Sequence, residues 1–170
     1  MSEKLNEEQK AIVKQLLSND SVVLIDSINK IREMGNVKMF PAVFDLYQRN
    51  VSADVQDTIL KLVMDVKNKA ASAYIVDELS SRKWNDGLSE LLSAIWQSGL
   101  DYGAYLSVFI PFVKSEDMTV TIEALTCIEE FFYNESVVNQ DEIRSELKQI
   151  ALDSSGQYRD LVMTYLSNLK

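Results

Sequence analysis

A chain of 170 residues, 46% apolar and 25% charged, is long enough for one domain with a sizeable buried core. Five glycines and two prolines are too few for the turns of a β-rich fold of this length, and one cysteine without any histidine excludes an internal disulfide and a Cys/His zinc site. The net charge of −9, from 17 Lys/Arg and 26 Asp/Glu, repels nucleic acid and anionic lipid and makes a basic protein or peptide the easier partner. The opening MSEKLNEEQK is charged and has no apolar stretch, so no signal peptide is expected. Apolar runs of about a dozen residues are too short to span a bilayer. The expected location is cytoplasmic, with no membrane and no cofactor.

In chain order, Lys4 to Leu17 carries Leu5, Ala11, Ile12, Leu16 and Leu17 on one side and Glu7 and Glu8 in its first turn, which predicts a one-sided helix. Asn19-Asp20-Ser21 breaks it and can cap a second helix bearing Val22, Leu24, Ile25, Ile28 and Ile31, which stops at Gly35. A second pair follows. Phe40, Val43, Phe44, Leu46 and Tyr47 load its first helix, Asn50-Val51-Ser52 is the corner, and Val55, Ile59, Leu62, Val63 and Val66 load its second. The third pair, Ala70 to Ser98, places Tyr74, Ile75, Val76 and Leu79 before a corner at Lys83-Trp84-Asn85-Asp86-Gly87, then Leu88, Leu91, Leu92, Ile95 and Trp96. The fourth opens with YGAYLSVFIPFV, apolar nearly all round, turns at Ser115-Glu116-Asp117, and continues with Val120, Ile122, Leu125, Ile128, Phe131 and Phe132. The fifth carries Ile143, Leu147, Ile150 and Leu152, turns at Asp153-Ser154-Ser155-Gly156, and ends on Tyr158, Leu161, Val162, Tyr165, Leu166 and Leu169.

Ten helices in five pairs predict an all-α solenoid, because a two-helix unit buries its apolar face only against neighbouring units. Anchoring the second helices on Ile28, Ile59, Leu92, Leu125 and Val162 gives a near-constant period, and three positions later stand Ile31, Leu62, Ile95, Ile128 and Tyr165, all large. The predicted units are 4–35, 36–67, 68–99, 100–134 and 135–170, within a single repeat domain.

A proline-bearing first helix, an acidic corner and a second helix of the form D-x-V-x-x-x-I-x-x-L resemble the HEAT-repeat (armadillo-like) family over nearly the whole chain. Unit two carries the pattern best, with Pro41 and then Asp54-Val55-Gln56-Asp57-Thr58-Ile59; unit four keeps Pro111. The arginine that the family often places after the valine is replaced by Ile25, Gln56, Ser89 and Ile122, and only Arg159 fits. The resemblance implies a right-handed α-α superhelix with its second helices on the concave surface, and a non-catalytic scaffold that binds other macromolecules. Two alternatives accompany it. One is an enzyme of the DNA glycosylase or bilin lyase type, disfavoured by the acidic charge and the missing histidine. The other is a homo-oligomeric structural protein.

Two candidate sites follow. Two residues before each anchor stand Asp26, Asp57, Glu90, Glu123 and Asp160, a column of carboxylates on the second helices. It serves either to offset helix dipoles and solvate the surface or to dock a basic segment. Tyr102, Tyr105, Phe109 and Phe112 fall at i, i+3, i+7 and i+10, an aromatic stripe if the fourth pair opens with one helix. That stripe is either packed between repeats or forms, with Trp84 in its corner, an apolar patch for a partner or a second copy, so the expected state is monomer or weak homo-oligomer. Pro41 near a helix start and Pro111 as an interior kink read as structural. Cys127, between Leu125 and Ile128, reads as a core thiol, and Trp96 reads as core. No phosphate loop, nucleophile elbow or Cys/His cluster is present, and no catalytic or metal-binding residue is expected.

Overall fold

A computed structural model describes residues 5–84 and 86–169; the predicted helix start at Lys4, Asn85 of the third corner, and Lys170 lie outside them. Every regular element is helical, so the fold is all-α among the described residues. The chain divides into two compact units, residues 1–87 with 97–100, and residues 88–96 with 101–170.

The first unit begins with α1 (Glu7–Gln15) and α2 (Ser21–Met34). Asn6 and Gln9 form a reciprocal capping box at 2.8 and 3.0 Å, which satisfies donors that the first turn of α1 leaves open. Asp20 accepts from the Val22 amide at 2.8 Å and starts α2, and Gly35, at φ 60°, ends it in the left-handed conformation expected of a terminal glycine. A 3-10 turn, Val37–Met39, leads into α3 (Phe40–Tyr47), whose first turn holds Pro41 where no amide is needed. α4 (Ala53–Asp65) buries Val55, Ile59, Leu62 and Val63, the residues that helical spacing selects, and α5 (Ala71–Ser81) buries Ile75, Val76 and Leu79. α2 packs on α4, and α3 packs on α5.

Polar side chains hold these layers together. Arg82, just past α5, donates to Asp45 at 2.8 Å and to the Pro41 carbonyl at 3.2 Å, both on α3, and to Gln48, which follows α3, at 3.1 Å, and its Nε donates to Glu78 at 2.5 Å. Burial lowers the guanidinium pKa, but the hydrogen bonds and charges of Asp45 and Glu78 outweigh it and leave the pKa raised. Arg49 donates to the Leu16 and Ser18 carbonyls at 2.7 and 3.1 Å, capping the open end of α1. Tyr47 donates to the Gly87 carbonyl at 2.8 Å. Gly87 stands at φ 74°, and a β-carbon there would meet the Tyr47 hydroxyl at 2.9 Å, so glycine is needed on both counts.

The second unit contains α6 (Leu88–Gln97, of which Gln97 belongs to the first unit), a 3-10 segment (Gly103–Val108), α7 (Ile110–Val113), α8 (Met118–Phe131), α9 (Gln140–Leu152) and α10 (Gly156–Asn168). α7 packs on α8 and α9, and α10 packs on α8 and α9. One expectation is corrected here: YGAYLSVFIPFV does not form a single kinked helix. Its backbone leaves helical geometry at Tyr105 (φ −121°, ψ 15°), and Pro111 lies in the first turn of a new helix. A proline in a continuous helix would remove one hydrogen bond and clash one turn back, so the chain restarts there instead. Gly103 makes room for the connection after α8, because a β-carbon would collide with Ser136 and come within 2.7 Å of Val137.

Candidate functional site

The carboxylate column is built on second helices, and its members differ in surroundings. In the first unit Asp26 is exposed and pairs with Lys30 at 2.6 Å, and Asp57 is exposed on α4. In the second, Glu90 is exposed and accepts from the Ser89 hydroxyl at 2.8 Å, and Asp160 is exposed on α10. Glu123 is half-buried and accepts from the Trp96 indole N–H at 2.6 Å. Only Glu90 lies in the first turn of its helix. Dipole compensation fades beyond that turn, so it accounts for Glu90 and not for the other four. Trp96, expected in the core, is half-buried for the same reason: its N–H needs an acceptor and finds one at the surface of α8.

The aromatic patch is not a surface stripe. Tyr102 and Phe109 are fully buried, and Tyr105 and Phe112 are half-buried. With the helix interrupted at Tyr105, the i, i+3, i+7, i+10 spacing no longer places the four on one face. Tyr102 instead packs on Phe131 (ring centroids 5.1 Å) and edge-on to Phe109 (6.4 Å). Trp84 is likewise taken inward. It stands edge-on to Phe44 and tilted to Tyr47, both at 6.3 Å, and donates to the Leu79 carbonyl at 2.9 Å. It closes the apolar end of its own unit.

Two features went unread in the sequence. The first is charge asymmetry: the first unit carries 12 Lys/Arg against 13 Asp/Glu, the second 5 against 13, so −8 of the net −9 lies on the second. The first unit also pairs its acids with cations (Glu7 with Lys10, Asp65 with Arg32, Asp45 and Glu78 with Arg82), whereas in the second the described pair is Asp141 with Arg144. A residue count by half would have found this. The second is a cleft of about 410 Å³ in the second unit, lined by Lys114, Glu146, Gln149, Ile150, Asp153 and Tyr158. Tyr158 is tied to the Val113 carbonyl, and burial raises its hydroxyl pKa, so it is no acid–base group near neutrality.

Cys127 is fully buried on α8 with its thiol on the Leu92 carbonyl at 3.4 Å. Burial, followed by the charge of Glu123, pushes the thiol pKa well above its ordinary value. A thiol-specific reagent at pH 8 is therefore expected to label native protein at least ~100-fold more slowly than urea-unfolded protein, since the thiolate is the reacting form. Comparable rates in the two states would refute the burial.

Comparison of the chain with models of known protein families gives no match, and comparison with curated proteins gives none. Among the described residues, no three side chains converge as metal ligands, and no helix is long and apolar enough to cross a membrane.

Proposed function

We propose that this chain is a non-catalytic HEAT-like repeat scaffold that binds a protein or peptide segment on exposed faces of its second helices. The observation that supports the reading is the layering inside each unit. Second helices stack on second helices (α2 on α4, α8 on α10) and first on first (α3 on α5, α7 on α9). That layering suits repeats of a right-handed superhelix, in which neighbours bury each other's apolar faces and leave one row of helices free for a partner. The acidic second unit favours a basic partner by long-range attraction.

The glycosylase-type alternative needs a cationic groove, and units of charge −1 and −8 speak against one. The self-associating alternative has less support, because Tyr102 and Phe109 of its four aromatics are interior and Tyr105 and Phe112 are half-buried. Selection of displayed random peptides on the immobilised full chain, followed by solution titration, tests the scaffold reading. Saturable binding with Kd of about 1–100 µM is expected, with no shift of duplex or single-stranded DNA at equal concentration. DNA binding in the same range, or no peptide that saturates, would reject it.

A further inference from the structure

The row of second helices in the acidic unit contains a face that is both apolar and anionic. On α8, Met118 and Ile122 lie four residues apart and so share one side of the helix, and Tyr133 stands two residues past its end. They are 41%, 37% and 58% exposed, and Met118 and Ile122 are large apolar side chains left in water. Glu123, Glu129 and Glu130 flank the same side. Neutral donors hold two of them: the Trp96 indole at Glu123, and the Asn168 amide at 2.7 Å on Glu129. Such hydrogen bonds from neutral donors fix the direction of both side chains. Tyr133 donates to the Asn168 carbonyl at 2.9 Å, which fixes the far end of the ridge against α10.

We infer that this α8 ridge docks a cationic amphipathic helical segment of a protein partner, its apolar side on Met118, Ile122 and Tyr133 and its Lys/Arg on Glu123, Glu129 and Glu130. Charge complementarity selects the occupant. The ridge belongs to the unit of net charge −8, so an anionic segment, an anionic lipid surface or a second copy of the same face is repelled. The ridge is roughly 20 Å long at 1.5 Å per residue, which about 15 residues of partner helix would cover. Fixed carboxylates beside exposed Met and Ile separate this face from the paired acids of the first unit. The assignment rests on the scaffold reading and narrows it to one surface and one partner chemistry.

The test is an anisotropy titration of the full chain with a labelled amphipathic Lys/Leu peptide of about 15 residues, and with a scrambled peptide of the same composition. Wild type should bind the amphipathic peptide more tightly than the scrambled one, and added salt should weaken the complex. Ile122→Ser and Glu130→Lys should each weaken it about five- to tenfold, and Asp57→Lys, an equal charge change in the other unit, less than about twofold. Circular dichroism confirms that the variants fold. Equal weakening by Asp57→Lys, indifference to Ile122→Ser, equal binding of the scrambled peptide, or no saturation would overturn the inference. Display-selected peptides that bind yet ignore both α8 variants would overturn this surface while leaving the scaffold reading intact; absence of any selected binder would end both.

Discussion

Replacing Arg82 with alanine is expected to destabilise the chain by about 3 kcal/mol, read from the urea midpoint at unchanged slope. The reason lies in what the arginine leaves behind. Its side chain is 17% exposed and that of Glu78 only 9%, so removing the guanidinium strands a carboxylate in a site closed to water. Asp45 is 70% exposed and loses little, since water can replace the lost cation. The substitution also frees the Pro41 carbonyl and Gln48, and so undoes the clamp between α5 and α3.

Two companion variants separate charge from packing. Arg82→Lys keeps the cation but loses the planar fork that reaches four acceptors at once, so it should cost about half as much. The double variant Arg82→Met with Glu78→Leu removes both ions together and should recover most of the loss, because an apolar pair of similar volume is often as good as a buried ion pair. An Arg82→Ala effect below about 0.5 kcal/mol, or no recovery in the double variant, would show that the cluster is ordinary surface polarity.

How much of this was legible depends on sequence separation. Local rules placed the Asp20 and Gly35 caps and the buried face of α4, because capping and helical spacing act within about four residues. The Glu78–Arg82 pair was open to the same rule, at i, i+4, but its importance comes from Asp45, Gln48 and Pro41, 34 to 41 residues away. The carboxylate column was found by register, yet the Trp96 partner that sets Glu123 apart lies 27 residues upstream on another helix. The fourth pair failed for a different reason. YGAYLSVFIPFV has almost no polar residue to phase it, so a continuous helix and a 3-10 segment with a restart at Pro111 look alike. The deciding facts were tertiary: the ring of Tyr102 against Phe131, and the chain after α8 lying close on Gly103.

Tyr102→Ala should therefore behave as a core truncation and cost about 4 kcal/mol. Tyr102 is fully buried between Phe109 and Phe131, and its removal opens a void that two flanking rings cannot fill without leaving their own contacts. Against a typical total stability of about 5–15 kcal/mol, a loss of that size would leave a large unfolded fraction in mild urea. Tyr102→Phe keeps the ring and its contacts with Phe109 and Phe131 and should cost far less than the alanine variant. Phe112→Glu changes a half-buried side chain on the short α7 and should cost less than the alanine variant. The ordering distinguishes the two views of this segment. A surface stripe would make all three substitutions mild, would leave the urea midpoint nearly unmoved, and would lower solution mass or partner affinity through Phe112→Glu. A packed restart makes the 102 position dominant and leaves solution mass unchanged, with light scattering and urea unfolding of the same samples reading both quantities.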